Sequence, residues 1–149
     1  MNLNDVRGKL DVLAANQKQL EWLRSLPQAD FVADVRNLDS TLHRLQTSIQ
    51  ALLDLAAYVV GSLKLGTPQH NADIIFALRD AALLDSKAAD NYVTVVAFRN
   101  RVVHLYNRID PGIVYEILLK HLADLESFRK TLVEVILRHP DAPIGKEPS

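Results

Sequence analysis

Apolar residues recur at helical spacing through most of the chain, in long stretches free of proline. The second of these stretches is the most regular, because its apolar residues alternate steps of four and three positions. This pattern predicts one amphipathic helix from about Ala29 to Leu63, about 50 Å long at ~1.5 Å per residue. Its apolar positions are Phe31, Val35, Leu38, Leu42, Leu45, Ile49, Leu52, Ala56, Val59 and Leu63.

The flanking stretches predict one helix before this one and a shorter helix after it. The first helix ends near Leu26-Pro27, since proline cannot continue a helix. The shorter helix covers about Ala72 to Leu84, with Ala82 on its apolar side. In the loop before it, Gly66 is a stop signal and Thr67-Pro68 a candidate cap and first helical residue.

Two more helices complete the chain. Asp85 or Ser86 can cap a helix that runs to about Tyr106, and Asp110-Pro111 has the residue types of an N-cap and first position of the last helix. The predicted fold class is all-α: an antiparallel up-and-down bundle of four long helices and one short one over residues 1–139. Residues 140–149 are rich in proline and predict a flexible tail. The projecting part of the long second helix is a candidate dimer surface.

Composition narrows the function classes only moderately. The 149 residues carry a net charge of −1 and no cysteine, which excludes disulfides, thiolate metal sites and a cysteine nucleophile. No stretch reaches the roughly 18 apolar residues of a membrane span, and the N-terminus is unlike a signal peptide. We therefore expect a cytoplasmic protein that does not enter membranes.

The predicted helix over residues 92–108 carries polar side chains where apolar ones are expected. Its first half is apolar nearly all round, which is typical of a buried helix. Arg99 nevertheless occupies a core-type position, and Asn100 and His104, four positions apart, share a face. Because buried polar groups are costly unless paired, this cluster needs a reason.

This helix also concentrates positive charge. Arg99, Arg101 and Arg108 occur with no acid between Asn91 and Ile109, which makes a local cationic patch suited to a phosphate group. A structural network is the alternative. In that interpretation Asn100 and His104 satisfy each other, and Arg99 pairs with an acid on another helix, such as Asp54.

The succession Arg99-Asn100, then His104, then Tyr106 resembles the motif of HepT-type toxins in the HEPN superfamily. The similarity extends through most of residues 1–139. It includes Leu53 to Ala56, Phe76 to Leu78, and Asp110 to Leu118.

The resemblance implies a metal-independent endoribonuclease that works as a homodimer without a cofactor. It implies the toxin of a type VII-like pair, whose antitoxin is a minimal nucleotidyltransferase (MNT) that transfers AMP to the motif tyrosine, here Tyr106. Arg99, His104 and Asn100 would then be the catalytic residues.

The chemistry of these residue types is consistent with that implication. Histidine, with a pKa of about 6.5 when unperturbed, suits proton transfer to and from the RNA 2′-hydroxyl and leaving oxygen, and arginine suits the phosphate. Positions five apart on a helix lie ~140° apart around its axis, so Arg99 and His104 of one chain do not share a narrow face. We therefore hypothesise that two copies of the helix form one cleft in a dimer. Arg101 and Arg108 are candidate contacts to the RNA backbone, and Asp54 is a candidate to orient Arg99 or His104.

Other functions are kept as alternatives. The chain could be a non-catalytic substrate-binding or adaptor subunit of a nucleotidyltransferase, or a structural interaction protein. No metal site is predicted, since the remaining histidines fall at no metal-ligand spacing. These histidines are His43, His70, His121 and His139. Only His121, on the predicted last helix, is a minor candidate for a position near the site.

Overall fold

The computed structural model of the chain describes residues 2–105 and 109–139, without the side chains of residues 102–105. The described residues form helices and no strand, so the predicted all-α class is confirmed. The predicted tail over residues 140–149 lies outside the described residues. The helices are α1 (Leu3–Ser25), α2 (Gln28–Ala33), α3 (Val35–Ser62), α4 (Asn71–Asp80), α5 (Ser86–Leu105) and α6 (Pro111–Arg138).

The predicted second helix is two helices, so its prediction as one continuous element is wrong. Asp34 has an extended backbone, with φ −120° and ψ 111°, and its side chain accepts a hydrogen bond from the backbone N–H of Arg36. An aspartate in this conformation is an N-cap, so the chain ends α2 and restarts as α3. Val35 is 65 % exposed as a result, although the apolar pattern includes it.

Two helices end in left-handed residues that the sequence signals did not mark. After α3, Lys64 has φ 56°, and the N–H of Leu65 bonds to the carbonyl of Val60. After α4, Ala82 has φ 61°, and the N–H of Leu83 bonds to the carbonyl of Leu78. Both are Schellman endings without glycine.

The predicted end of the long helix at Leu63 is confirmed, since α3 ends at Ser62 with Leu63 as its C-cap, but Lys64 rather than Gly66 takes the left-handed position that ends it. Two predictions for the shorter helix are wrong. Ala82 is exposed beyond the end of α4 rather than on its apolar side. The shorter helix begins at Asn71 with His70 as its N-cap, so Thr67-Pro68 does not start it.

The predicted caps of the last two helices are present. Asp85 accepts from the N–H of Ala88 at 2.7 Å, which makes it, and not Ser86, the cap of α5. Asp110 accepts from the N–H of Gly112 at 2.8 Å, and proline occupies the first turn of α6.

The helices pack antiparallel around one core. Lys9 of α1 contacts Asp54 of α3, whereas Asn16, further along α1, contacts the earlier residue Ser48, so the two helices run in opposite directions. Helices α5 and α6 also pack together, and the ring of Tyr92 in α5 stacks on that of Phe128 in α6 with 4.3 Å between the ring centroids. The largest fully buried side chains are Phe31, Leu20, Leu23, Leu42, Ile49, Leu52, Leu55, Ile75, Leu78, Leu118, Leu122 and Leu132.

Helix α5 lies among three neighbours, since it packs against α3, α4 and α6. Its polar cluster therefore has partners within reach on several helices. Within residues 2–105 and 109–139, no helix has the length and apolar character needed to cross a membrane.

Candidate functional site

Arg99 projects from the buried side of α5. The neighbouring Val95, Val96 and Phe98 are 5 to 8 % exposed, and Arg99 itself is half-buried. The next two residues, Asn100 and Arg101, are exposed. The helix thus directs one guanidinium toward the bundle and leaves a polar and a cationic side chain toward solvent.

A chain of hydrogen bonds anchors the guanidinium to α3 and α1. Nη2 of Arg99 donates to Oε1 of Gln50 at 2.9 Å, and Nε2 of Gln50 donates to Oδ1 of Asp54 at 2.8 Å. Nζ of Lys9 donates to the other carboxylate oxygen, Oδ2 of Asp54, at 2.7 Å. We call this series, Arg99, Gln50, Asp54 and Lys9, the arginine relay.

One donor of Arg99 is left without an acceptor. Its Nε is fully buried and has no hydrogen-bond partner among the described side chains. An unmet buried donor costs about 1–3 kcal/mol, so it is a site where an additional acceptor would be stabilising.

The structural-network interpretation paired Arg99 with an acid on another helix, and the structure gives it a different partner. The guanidinium is bound by the amide of Gln50 rather than by an acid. Asp54 belongs to the same relay, but its ion pair is with Lys9. The predicted association of Asp54 with Arg99 is therefore indirect, through one intervening side chain.

The structure describes the other predicted site residues only in part. Asn100 lines a cleft of about 410 Å³ between α5 and the start of α4, together with His70 and Ala97. His104 belongs to α5, but its side chain lies outside the described residues, as do Tyr106 and Arg108 entirely.

Two members of the relay, Gln50 and Lys9, were not among the sequence candidates. The signal for Gln50 is its position four residues before Asp54, directly before a part of α3 that runs from Ala51 to Val60 and is otherwise apolar apart from Asp54 and Tyr58. Residues four apart share a helix face, so this polar pair faces one neighbour. Lys9 carries no such signal, because a lysine on an amphipathic helix is ordinarily solvated.

The remaining histidines lie apart from the relay's contacts. Nδ1 of His121 is 2.9 Å from Oδ2 of Asp124 on the same helix, whereas His43 is exposed on α3. His70 and His139 are the residues at the start of α4 and the end of α6. In the part of the chain that the structure describes, no three histidine, aspartate or glutamate residues cluster closely enough to hold a metal ion.

Comparison with known families decides what kind of bundle this is. Residues 13–132 match the model of the family described as ribonuclease HepT-like, which is most of the chain. The chain belongs to the HepT-like family. The resemblance stated from the arginine, histidine and tyrosine spacing is thus confirmed at the level of the family.

Curated relatives of this HepT-like chain include nucleases. The chain is similar to an mRNA nuclease HepT of Shewanella oneidensis, at 31 % identity over 100 residues that cover 67 % of this chain and 75 % of the relative. It is also similar to a tRNA nuclease HepT of Aphanizomenon flos-aquae, at 24 % identity over 74 % of this chain and 75 % of the relative.

Solved structures agree with this assignment. A tri-AMPylated HEPN toxin of Shewanella oneidensis in complex with an MNT antitoxin superposes with a TM-score of 0.79. The two share 26 % identity over 90 % of this chain and 99 % of that one. A toxin–antitoxin structure with AMP-PNP matches with a TM-score of 0.78 and 26 % identity, over 89 % of this chain and 99 % of that one.

Proposed function

We propose that this HepT-like chain is the ribonuclease toxin of a toxin–antitoxin pair and cleaves RNA without a metal ion. The observation that carries the proposal is the set of contacts that Arg99 makes. Arg99 is held by the neutral amide of Gln50 and forms no ion pair with a described acid, in a chain whose curated relatives are named as mRNA and tRNA nucleases.

Arg99 would stabilise the negative charge that develops on the phosphate when the 2′-hydroxyl attacks it. Preorganised donors aimed at developing charge commonly contribute the largest part of catalysis. The arginine relay provides this preorganisation, since Gln50 of α3 holds the guanidinium and is itself held by Asp54, which Lys9 of α1 binds. His104 would transfer the proton, and Asn100 would orient the histidine or the phosphate.

The reaction would take place between two copies of the chain. Arg99 and His104 are five positions apart on α5, or ~140° around the helix, so one copy does not direct both at a narrow target. Two α5 helices facing each other would bring two arginines and two histidines into one cleft. One histidine could then act as the base and the other as the acid. The exposed Arg101, together with Arg108, would hold the RNA backbone.

The partner we propose is an MNT-type nucleotidyltransferase that neutralises the toxin by transferring AMP to Tyr106. The support is the similar toxin that is tri-AMPylated and bound to an MNT antitoxin. Tyr106 follows Arg99 by seven positions in the sequence, a separation that equals about two turns in an α-helix. AMP attached there would bring bulk and negative charge to the phosphate site and exclude RNA.

The decisive test is RNA cleavage in the presence of excess EDTA. We expect the wild-type protein to cleave RNA, and Arg99→Ala and His104→Ala to lose cleavage while remaining folded and of unchanged oligomeric state. Thr94→Ala, an exposed change on the same helix, is the matched control. Equal behaviour of the wild type and both site variants would exclude the ribonuclease function and favour an adaptor subunit of a nucleotidyltransferase.

Modification is tested separately by intact mass after incubation with the proposed MNT-type nucleotidyltransferase partner and ATP. We expect the mass to rise by whole AMP units in the wild type and not in Tyr106→Phe. An unmodified wild-type toxin that is nevertheless neutralised would exclude AMP transfer as the means of control.

A further inference from the structure

Gln50 is an amide placed between a cation and an anion. Arg99 can only donate hydrogen bonds and the carboxylate of Asp54 can only accept them. An amide that contacts both must therefore direct its oxygen to Arg99 and its NH₂ to Asp54, as it does at 2.9 and 2.8 Å. The reversed amide would set donor against donor and acceptor against acceptor. The orientation of Gln50 is thus determined by its two neighbours.

The relay also separates the two charges. The carboxylate of Asp54 is bound by Lys9 at 2.7 Å, so its charge is balanced on the side away from Arg99. Of the described acids, none forms an ion pair with Arg99, whose partner is the neutral amide. A direct contact with a carboxylate would hold the arginine as firmly, but it would also compensate much of the positive charge that an anion needs.

We propose that Gln50 is a positioning residue that fixes the guanidinium of Arg99 while leaving its charge available to an RNA phosphate. This role rests on the proposed ribonuclease function, since it explains how the arginine is kept ready for an anionic group. Asp54 and Lys9 act behind Gln50: the carboxylate fixes the amide, and the lysine compensates the carboxylate.

A double substitution that moves the negative charge from position 54 to position 50 tests this role of Gln50 directly. In Gln50→Glu/Asp54→Asn, the new amide at 54 donates to the new carboxylate at 50 and still accepts from Lys9. Arg99 still has an oxygen to donate to, so each hydrogen bond of the relay is retained. The net charge of the cluster is also retained, but the carboxylate now faces Arg99. If the relay is merely structural, this variant should behave as the wild type.

We expect the double variant to keep its melting temperature and to cleave RNA with KM raised about tenfold, because a unit charge beside the guanidinium opposes phosphate binding. Gln50→Leu removes the anchor without adding charge, so we expect a lower kcat with a smaller change in KM. Gln19→Glu, on the exposed side of α1, is the control for added negative charge and should leave both parameters unchanged. Wild-type kinetics in the double variant would overturn the proposal.

A second measurement is independent of cleavage. Inorganic phosphate is titrated while the ¹⁵Nε–H resonance of Arg99, assigned by its loss in Arg99→Lys, is followed by NMR. We expect the resonance to shift in the wild type and to need about tenfold more phosphate in the double variant. Equal titrations would refute the role of Gln50. If the wild type cleaves no RNA, the proposed function fails, and this titration alone decides whether Gln50 leaves the charge of Arg99 available.

Discussion

Truncation of Arg99 should affect stability far less than its half-buried position suggests. Arg99→Ala removes one charge-assisted hydrogen bond, from Nη2 to Oε1 of Gln50, worth about 1.5–3 kcal/mol. It also removes the buried Nε donor that has no described acceptor, which returns about 1–3 kcal/mol. Gln50 is only half-buried, so water can replace Arg99 as the donor to its Oε1. The two contributions therefore nearly cancel, and the net change in the free energy of unfolding should stay within about 1.5 kcal/mol.

Arg44 provides a matched structural comparison. It is also half-buried, but its Nη1 donates to Oδ1 of Asn16 and its Nε to Oγ of Ser40, each at 3.2 Å. Arg44→Ala therefore loses two bonds and removes no unpaired Nε donor. We expect it to cost about 2–3 kcal/mol.

The assay is urea unfolding of both variants, followed by circular dichroism, with thermal melts in parallel. For a chain of this size about 1 kcal/mol shifts the melting temperature by roughly 2–4 °C, so Arg99→Ala should stay within about 6 °C of the wild type. A loss of 3 kcal/mol or more, equal to or above that of Arg44→Ala, would refute this reasoning. It would mean that Arg99 belongs to a structural network, in which breaking one partnership is strongly destabilising.

Three further predictions concern the framework around the site. Asn16→Ala should lower the free energy of unfolding in urea by about 2–4 kcal/mol. Asn16 is 7 % exposed, and its removal leaves the buried hydroxyl of Ser48 without its hydrogen-bond partner. A decrease below about 0.5 kcal/mol would contradict the hydrogen-bond assignment. Asp34→Ala should lower the midpoint of urea unfolding, and Asp34→Asn should lower it much less, because Asp34 caps α3. An unchanged midpoint in Asp34→Ala would show that the cap does not stabilise the helix. Arg129 lowers the pKa of Glu126 by a side-chain hydrogen bond, so the pair stabilises the protein above the ordinary glutamate pKa and loses this as pH falls through the lowered value. Glu126→Gln should therefore cost at most about 1 kcal/mol at pH 7 and nothing near pH 2, whereas an equal loss at both pH values would exclude the ion pair as the cause.

Much of the fold could be predicted because a helix requires apolar residues at regular spacing and particular residue types at its ends, and both features lie close together in the sequence. The apolar pattern located the long helices, and Asp110-Pro111 marked the start of α6 by residue type alone. The ends of α3 and α4 were not predictable in this way. Lys64 and Ala82 take the left-handed position that glycine usually fills, so the decisive backbone bonds have no residue-type signal.

The break at Asp34 shows why periodicity can mislead. Steps of three and four continue from Phe31 through Val35 to Leu38, so the pattern alone indicates one helix. In the structure Phe31 is fully buried and Val35 is 65 % exposed, because the cap at Asp34 redirects the chain. A single apolar residue that fits the spacing carries too little free energy to override such a cap.

By itself, the sequence determined the helical class, the family motif on α5 and the contrast between a nearly neutral chain and one cationic segment. These are local properties, set by residue type and by spacing within a few turns. Only the tertiary structure decided what holds Arg99, because its partner Gln50 is 49 positions away and the relay continues from Asp54 across 45 positions to Lys9. Such contacts depend on how α1, α3 and α5 pack against one another. Packing is a cooperative property of the whole core, so these contacts cannot be predicted from any short stretch of the sequence.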